Sequence, residues 1–155
     1  MHRMRRWSVR NARWLKGLYN LLERSLVFAH PLLKRIGYER LDKPFVVFEK
    51  VTKGFLLDSQ SCGRCVVGST GMACPMNCPK QLRNGPCGGV RSNGRCEVDP
   101  NMECVWVLAW EGNKRLREKE HPIQFLQPPV DARMQGTSAW LREVRLAVAA
   151  KQAAD

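Results

Sequence analysis

All seven cysteines of the chain lie between Cys62 and Cys104, spaced Cys62-x2-Cys65-x8-Cys74-x3-Cys78-x8-Cys87-x8-Cys96-x7-Cys104. The residues among them are rich in Gly, Pro and Asn, while the apolar residues sit mostly before Cys62 and after Cys104. Such a segment cannot bury enough carbon to offset its ordering entropy. Small segments of this kind are held by disulfides or by a metal. Seven is odd, so complete pairing within the chain is impossible. The apolar stretch after the basic N-terminus is interrupted by Glu23-Arg24, which argues against a secretory leader, and no run reaches the ~20 apolar residues of a membrane span. The expectation is a cytoplasmic protein whose thiols stay reduced and whose clustered cysteines ligate metal, with a disulfide scaffold as the minor alternative.

The close pair Cys62/Cys65 is the usual way for a tight turn to aim two sulfurs at one ion, and Cys74/Cys78 is a second close pair. Gly63, Gly88 and Gly89 permit the positive φ values that such turns require. The histidines, His2, His30 and His121, all lie outside the stretch. Ligation is therefore expected mainly from thiolate, which suits Zn²⁺ or an iron–sulfur cluster. Four tetrahedral sulfurs satisfy either. Cys74-Pro75 and Cys78-Pro79 repeat the Cys-Pro step of bacterial ferredoxin motifs, and seven sulfurs exceed what one zinc needs, so the balance tilts to iron–sulfur. Against this, two four-ligand sites would be one sulfur short. Metal binding in small zinc modules is worth about 10–16 kcal/mol, against about 5–15 for the stability of a whole domain. Removing such a centre is expected to unfold the segment.

The flanks read as helical. In residues 8–29, Trp14, Leu18, Leu21, Leu22, Leu26 and Ala29 recur at steps of three and four, and Pro31 stops the pattern. The leading reading is a helix packed on the protein's own body or a partner. An in-plane membrane helix and a mitochondrial-type presequence are the alternatives. A formal net charge of +12 is concentrated here, with six cations from Arg3 to Lys16 before the first acid, Glu23. Such an arm suits nucleic acid, an anionic membrane or an acidic partner, and charge alone does not choose. Leu32–Gly37 reads as a short helix. Phe45–Val51 is ambiguous between strand and helix, with Pro44 near a helix start favouring helix. Asp58–Asn101 reads as successive turns. Val105–Trp110 continues as a helix through Glu120 to Pro122, and Thr137-Ser138 caps a last helix through Val144, ahead of a frayed tail from Ala149.

The block Cys78-Pro79-Lys80-Gln81-Leu82-Arg83-Asn84-Gly85-Pro86-Cys87-Gly88-Gly89, with Cys74-Pro75 before it and Gly94-Arg95-Cys96-Glu97-Val98 and Cys104-Val105-Trp106 after it, resembles the methylenetetrahydrofolate reductase C-terminal domain family. The resemblance runs from about Lys53 to Trp140, including Thr137-Ser138-Ala139-Trp140. It implies the small subunit of a two-subunit reductase, whose partner is a flavin-bearing (β/α)8 barrel that reduces methylenetetrahydrofolate. It also implies cysteine-bound centres, iron–sulfur (4Fe–4S) in some members and zinc in others, held by Cys62, Cys65, Cys74, Cys78, Cys87, Cys96 and Cys104. Where members of the family carry a further leading cysteine, this chain has Ser59, so a serine hydroxyl or solvent would complete one site.

The expected architecture is a small α-plus-irregular protein with little sheet: a basic helical arm (1–52), a cysteine-rich metal or iron–sulfur module (53–112) and a helical, Pro-rich docking segment (113–155). No Gly-x-Gly-x-x-Gly, Ser/His/Asp or paired-carboxylate arrangement is present, so no catalytic residue is assigned. The exposed candidates for contacting folate or partner are Lys80, Arg83 and Asn84. The leading expectation is an electron-relaying or structural subunit of the reductase, which also implies an electron-donor protein. A zinc-ribbon-like interaction or nucleic-acid module ranks second, and a membrane-attached redox protein using helix 8–29 ranks third.

Overall fold

The computed structural model describes residues 2–116, 122–124 and 126–153. Within them run helices α1 (His2–Arg10), α2 (Ala12–Phe28), α3 (His30–Ile36), α4 (Tyr38–Leu57), α5 (Val105–Lys114) and α6 (Ala139–Gln152). The protein is mostly helical with almost no sheet. Between α4 and α5 the backbone forms one 3₁₀ turn, Pro75–Asn77, and two isolated antiparallel bridges, Val90 with Cys96 and Arg95 with Glu103. This is the turn-rich segment expected from its Gly and Pro punctuation.

The helical boundaries differ from the sequence reading in informative ways. The expected helix over 8–29 is two helices, α1 and α2, separated at Asn11. Phe45–Val51 is helical, but α4 begins at Tyr38, so Pro44 lies inside it and the helix crosses residue 52 to end at Leu57. A proline there removes one intrahelical hydrogen bond and costs about 3 kcal/mol. Packing of α4 against α1, α3 and α6 offsets that cost. The helix predicted after Cys104 ends at Lys114, and residues 117–121, His121 among them, lie outside the described residues. The tail expected to fray from Ala149 is helical to Gln152, because Ala149, Ala150, Lys151 and Gln152 are all strong helix formers. Ser138 caps α6 as expected, its Oγ accepting from the Leu141 N–H at 3.3 Å.

The arm packs on the cysteine-rich segment. Val9 of α1 joins Cys96, Cys104, Met102, Val105 and Ala109 in one apolar cluster. Ala12 and Leu15 of α2 join Leu57, Val67, Met72 and Cys74 in a second, with Tyr19 and Cys65 at its edge. Arg5 Nε binds the Asp58 carboxylate at 2.5 Å, and Arg6 Nε binds Glu103 at 2.6 Å. Trp14, Leu18 and Leu21, expected on a face packed against the protein's own body or a partner, do not pack on the body: they are 63%, 46% and 61% exposed. The inward face of α2 is instead set by Ala12 and Leu15, a neighbouring stripe of the same period. A period gives a helix its faces but not which face meets the core.

Candidate metal-binding cavity

Helix α4 ends with Asp58 in the left-handed region (φ 49°), where its N–H bonds the Gly54 carbonyl at 3.1 Å. Ser61 is also left-handed (φ 47°), so the chain reverses twice before Cys62. The Cys62–Cys65 turn that follows is fixed from outside. Gly63 has φ 76°, and a Cβ there would lie 1.9 Å from the Met134 carbonyl oxygen. Arg142 of α6 donates to the Gly63 carbonyl. Glycine is thus required both for its dihedral and for the close approach.

Cys74 reaches the same place along a different route. The loop 66–73 lies flat on α5, where Gly71 (φ 56°) meets Gly112 so closely that a Cβ on Gly112 would sit 2.0 Å from the Gly71 oxygen. Thr70 Oγ1 donates to the Ala73 carbonyl at 2.5 Å and fixes the exit toward Cys74. The 3₁₀ turn beyond it is tied back by Asn77, which donates to the Asp58 carbonyl at 2.8 Å and accepts from Gln60 at 2.6 Å.

Cys62, Cys65 and Cys74 therefore line one small cavity of ≈ 20 Å³, together with Glu49, Ser59, Ser61 and Arg83. Burial pushes the Cys74 thiol up, and the nearby Cys65 and Cys62 act in the same direction, while the N–H groups of Gln60 and Met76 oppose it. Two polar atoms at the cavity have no hydrogen-bond partner, Ser61 Oγ and Arg83 Nη1. Leaving a buried donor or acceptor unmade costs about 1–3 kcal/mol, so two of them beside three sulfurs mark a place shaped for something polar. Ser59, suggested by the sequence as the extra ligand, accepts from the Ser61 N–H at 3.5 Å. The unpartnered hydroxyl is that of Ser61.

Arg83, expected at the surface, is 7% exposed. Its Nη2 donates to the Arg64 carbonyl at 2.7 Å and its Nε to Pro128 at 2.6 Å. It joins the Cys62–Cys65 turn to the Pro-rich strap. Asn84, which is exposed, secures the same strap by a reciprocal pair of 2.7 Å hydrogen bonds with the Gln127 backbone. Lys80 remains at the surface, paired with Glu97.

The other four cysteines are not among the residues lining this cavity. Cys78 closes the 3₁₀ turn. Cys87 is exposed, with the Gly89 N–H 3.4 Å from its sulfur and Glu97 Oε1 at 3.5 Å. Cys96 and Cys104 are buried in the apolar cluster beneath α5. All seven are unbridged. Among the described residues no three His, Cys, Asp or Glu side chains converge closely enough to hold an ion as they stand. Cys62, Cys65 and Cys74 are the residue type that a thiolate-bound centre requires, and a cavity of ≈ 20 Å³ has room for about one water-sized ion.

Glu49 also lines the cavity, as one half of a buried ion pair that sequence reasoning missed. Glu49 and Lys53, one turn apart on α4, are 7% and 3% exposed and bonded to each other. Glu49 Oε2 also accepts from Ser138 Oγ at 2.9 Å and from the Trp140 N–H at 3.3 Å, and Lys53 Nζ stands 4.7 Å from the Trp140 ring centre. The i,i+4 spacing was legible; the burial was not.

No curated protein and no solved structure matches the chain. A family model described as the methylene-tetrahydrofolate reductase C terminal matches residues 38–133, more than half of the chain, from the first turn of α4 to the turn that carries Met134 against Gly63. This match agrees with the resemblance carried by the Cys74–Gly89 block, and the chain belongs to the methylene-tetrahydrofolate reductase C-terminal domain family.

Proposed function

We propose that this chain is the accessory subunit of a methylenetetrahydrofolate reductase complex in the cytoplasm, and that Cys62, Cys65 and Cys74 hold a thiolate-bound inorganic centre. The observation that carries the reading is the cavity lined by Cys62, Cys65 and Cys74, from two separate loops, and by Ser61, whose buried hydroxyl has no hydrogen-bond partner, inside the segment that matches the family. On this reading the fourth ligand position falls to Ser61 or to solvent. An iron–sulfur centre would supply one-electron transfer toward the flavin of a barrel subunit, whereas zinc would supply only rigidity.

The chain's own residues perform the holding. Gly63 lets the Cys62–Cys65 turn close against Met134, and Gly71 sets the loop on α5 that leads to Cys74. Arg83 ties the Cys62–Cys65 turn to the Pro-rich strap through the carbonyls of Arg64 and Pro128. Val67, Met72 and Leu57 close the apolar side. The exposed α4 residues Val47 and Val51, one turn apart and 63% and 64% exposed, offer a partner subunit an apolar face to cover.

The test is anaerobic purification with any co-purifying subunit, followed by iron, acid-labile sulfide and zinc analysis per chain. Bound metal that is lost in Cys62→Ser and Cys74→Ser but retained in Cys96→Ala is the expected result, with iron and sulfide together supporting the relay. Zinc alone would refute the relay and leave a structural subunit. A folded protein with neither would refute the centre.

A further inference from the structure

The feature that the cavity does not use is the arm before Tyr38, which also lies outside the family match. Helix α2 turns Ala12 and Leu15 inward and leaves Trp14, Leu18, Leu21 and Phe28 outward along its length of about 25 Å. Phe28 is 88% exposed. Helix α3 continues the apolar surface with Leu32 and Ile36, 59% and 45% exposed. Monomeric proteins seldom leave so many large apolar side chains uncovered on consecutive helices.

The charge around this surface is of one sign. Arg10, Arg13 and Arg24 are exposed on α1 and α2, and Lys34 and Arg35 are exposed on α3. Before Glu39 the only acid is Glu23. At the start of the arm, α1 and α4 enclose an open groove of ≈ 540 Å³ walled by Arg3, Arg6 and Arg10, with Trp7 and Phe55 among its apolar lining. Of these arginines, Arg6 is paired with Glu103.

We propose that α1–α3 form an in-plane docking surface for a bilayer containing anionic phospholipid, with the apolar stripe of α2 entering the headgroup–acyl boundary and the arginines meeting the phosphates. The pattern is that of an interfacial helix: low overall hydropathy, one apolar face, arginines alongside it and tryptophans at the boundary. The arginine stems are long enough to lie along the acyl surface while their charges stay at headgroup level. An acidic protein partner fits less well. The exposed cations flank the apolar stripe along three successive helices, Arg10 and Arg13, then Arg24, then Lys34 and Arg35, a spread that a continuous plane of anionic headgroups meets along its whole length. The surface lies on the membrane without crossing it, since no helix among the described residues is long and apolar enough to span one.

The experiment is co-sedimentation of the full chain, with any co-purifying subunit, against vesicles of phosphatidylcholine alone and of phosphatidylcholine with about 30% phosphatidylglycerol, a charge density of the kind that draws basic segments. Binding is expected only to the anionic vesicles and is expected to weaken with salt. Each cation at such a surface contributes about fivefold to partitioning, so Arg10→Gln with Arg13→Gln is expected to weaken binding by about 25-fold. Leu21→Glu is expected to abolish it. Because these side chains are exposed, the helical content and the metal content of the variants serve as controls that the fold and the cavity are intact. The proposal is overturned by absence of binding to anionic vesicles, by equal binding to neutral ones, or by a Leu21→Glu variant that binds as the parent does. Loss of the co-purifying subunit in Leu21→Glu, with no vesicle binding by the parent, would assign the face to a protein partner instead.

Discussion

Replacing Gly63 by alanine tests whether the Cys62–Cys65 turn is held by the C-terminal segment. Two effects act at this position. The first is conformational: at φ 76° an L-residue costs about 1–2 kcal/mol relative to glycine. The second is steric, because the new methyl would lie 1.9 Å from the Met134 oxygen and 2.5 Å from its carbonyl carbon. Both are backbone atoms, so relief requires moving the 3₁₀ turn Ala132–Met134 or the cysteine turn itself. That movement disturbs the Arg142 bond to the Gly63 carbonyl as well. A loss of about 3–5 kcal/mol in total is expected, in the range of strain and lost buried bonds. For a chain of this size it lowers the melting temperature by about 6–20 °C. Gly94→Ala is the matched control, since Gly94 has the same φ of 76° with nothing within 4 Å of the added carbon. It is expected to show only the conformational part, about 1–2 kcal/mol. The assay is urea denaturation of both variants with metal content measured in parallel. Equal destabilisation by the two would refute the argument, because it would mean that the contact with Met134 contributes nothing.

Three further outcomes are expected. Glu49→Gln strands the buried Lys53 ammonium and should cost about 3–5 kcal/mol in urea denaturation, while Glu49→Met with Lys53→Met should recover only part of the loss, since the Ser138 hydroxyl and the Trp140 N–H then lack their acceptor; a negligible cost in the single variant would contradict the pairing. The Asp131 carboxyl is held down to about 2 by its hydrogen bonds to Arg133, so its contribution is complete above the ordinary carboxylate range and is lost as pH falls through about 2. An NMR titration should find that midpoint, and Arg133→Gln should raise it toward the ordinary carboxylate range without reaching it, because the backbone N–H at position 133 still donates to Asp131; an ordinary midpoint in the parent protein would overturn the assignment. Alkylation of the native protein followed by peptide mass spectrometry should modify exposed Cys87 first, with Cys74, Cys96 and Cys104 reacting only on unfolding; early loss of Cys96 would contradict its place in the apolar cluster.

What was legible in the sequence is what depends on neighbours along the chain. Turn chemistry between Asp58 and Asn101 leaves only a single 3₁₀ turn and isolated bridges there, because Gly, Pro and Asn set local dihedrals whatever surrounds them. Ser138 at a helix start bonds a donor three residues on, and so declares α6 without reference to the core. The Cys74–Gly89 block identified the family. The tertiary structure decided the rest. Spacing grouped Cys74 with Cys78, yet Cys74 faces the cavity of Cys62 and Cys65 because loop 66–73 is laid against α5 through Gly71 and Gly112, two residues far apart in the chain. Arg83 looked like a surface residue until the strap at Pro128 covered it. The period of α2 marked a set of apolar residues, but contact with Leu57 and Met72 selected Ala12 and Leu15 as its inward face and left Trp14 and Leu21 outside. Local dihedrals and caps are fixed by a few adjacent residues, whereas burial is a property of every segment that arrives from elsewhere, and it is burial that brings Cys62, Cys65, Cys74, Ser61, Glu49 and Arg83 to the lining of one cavity.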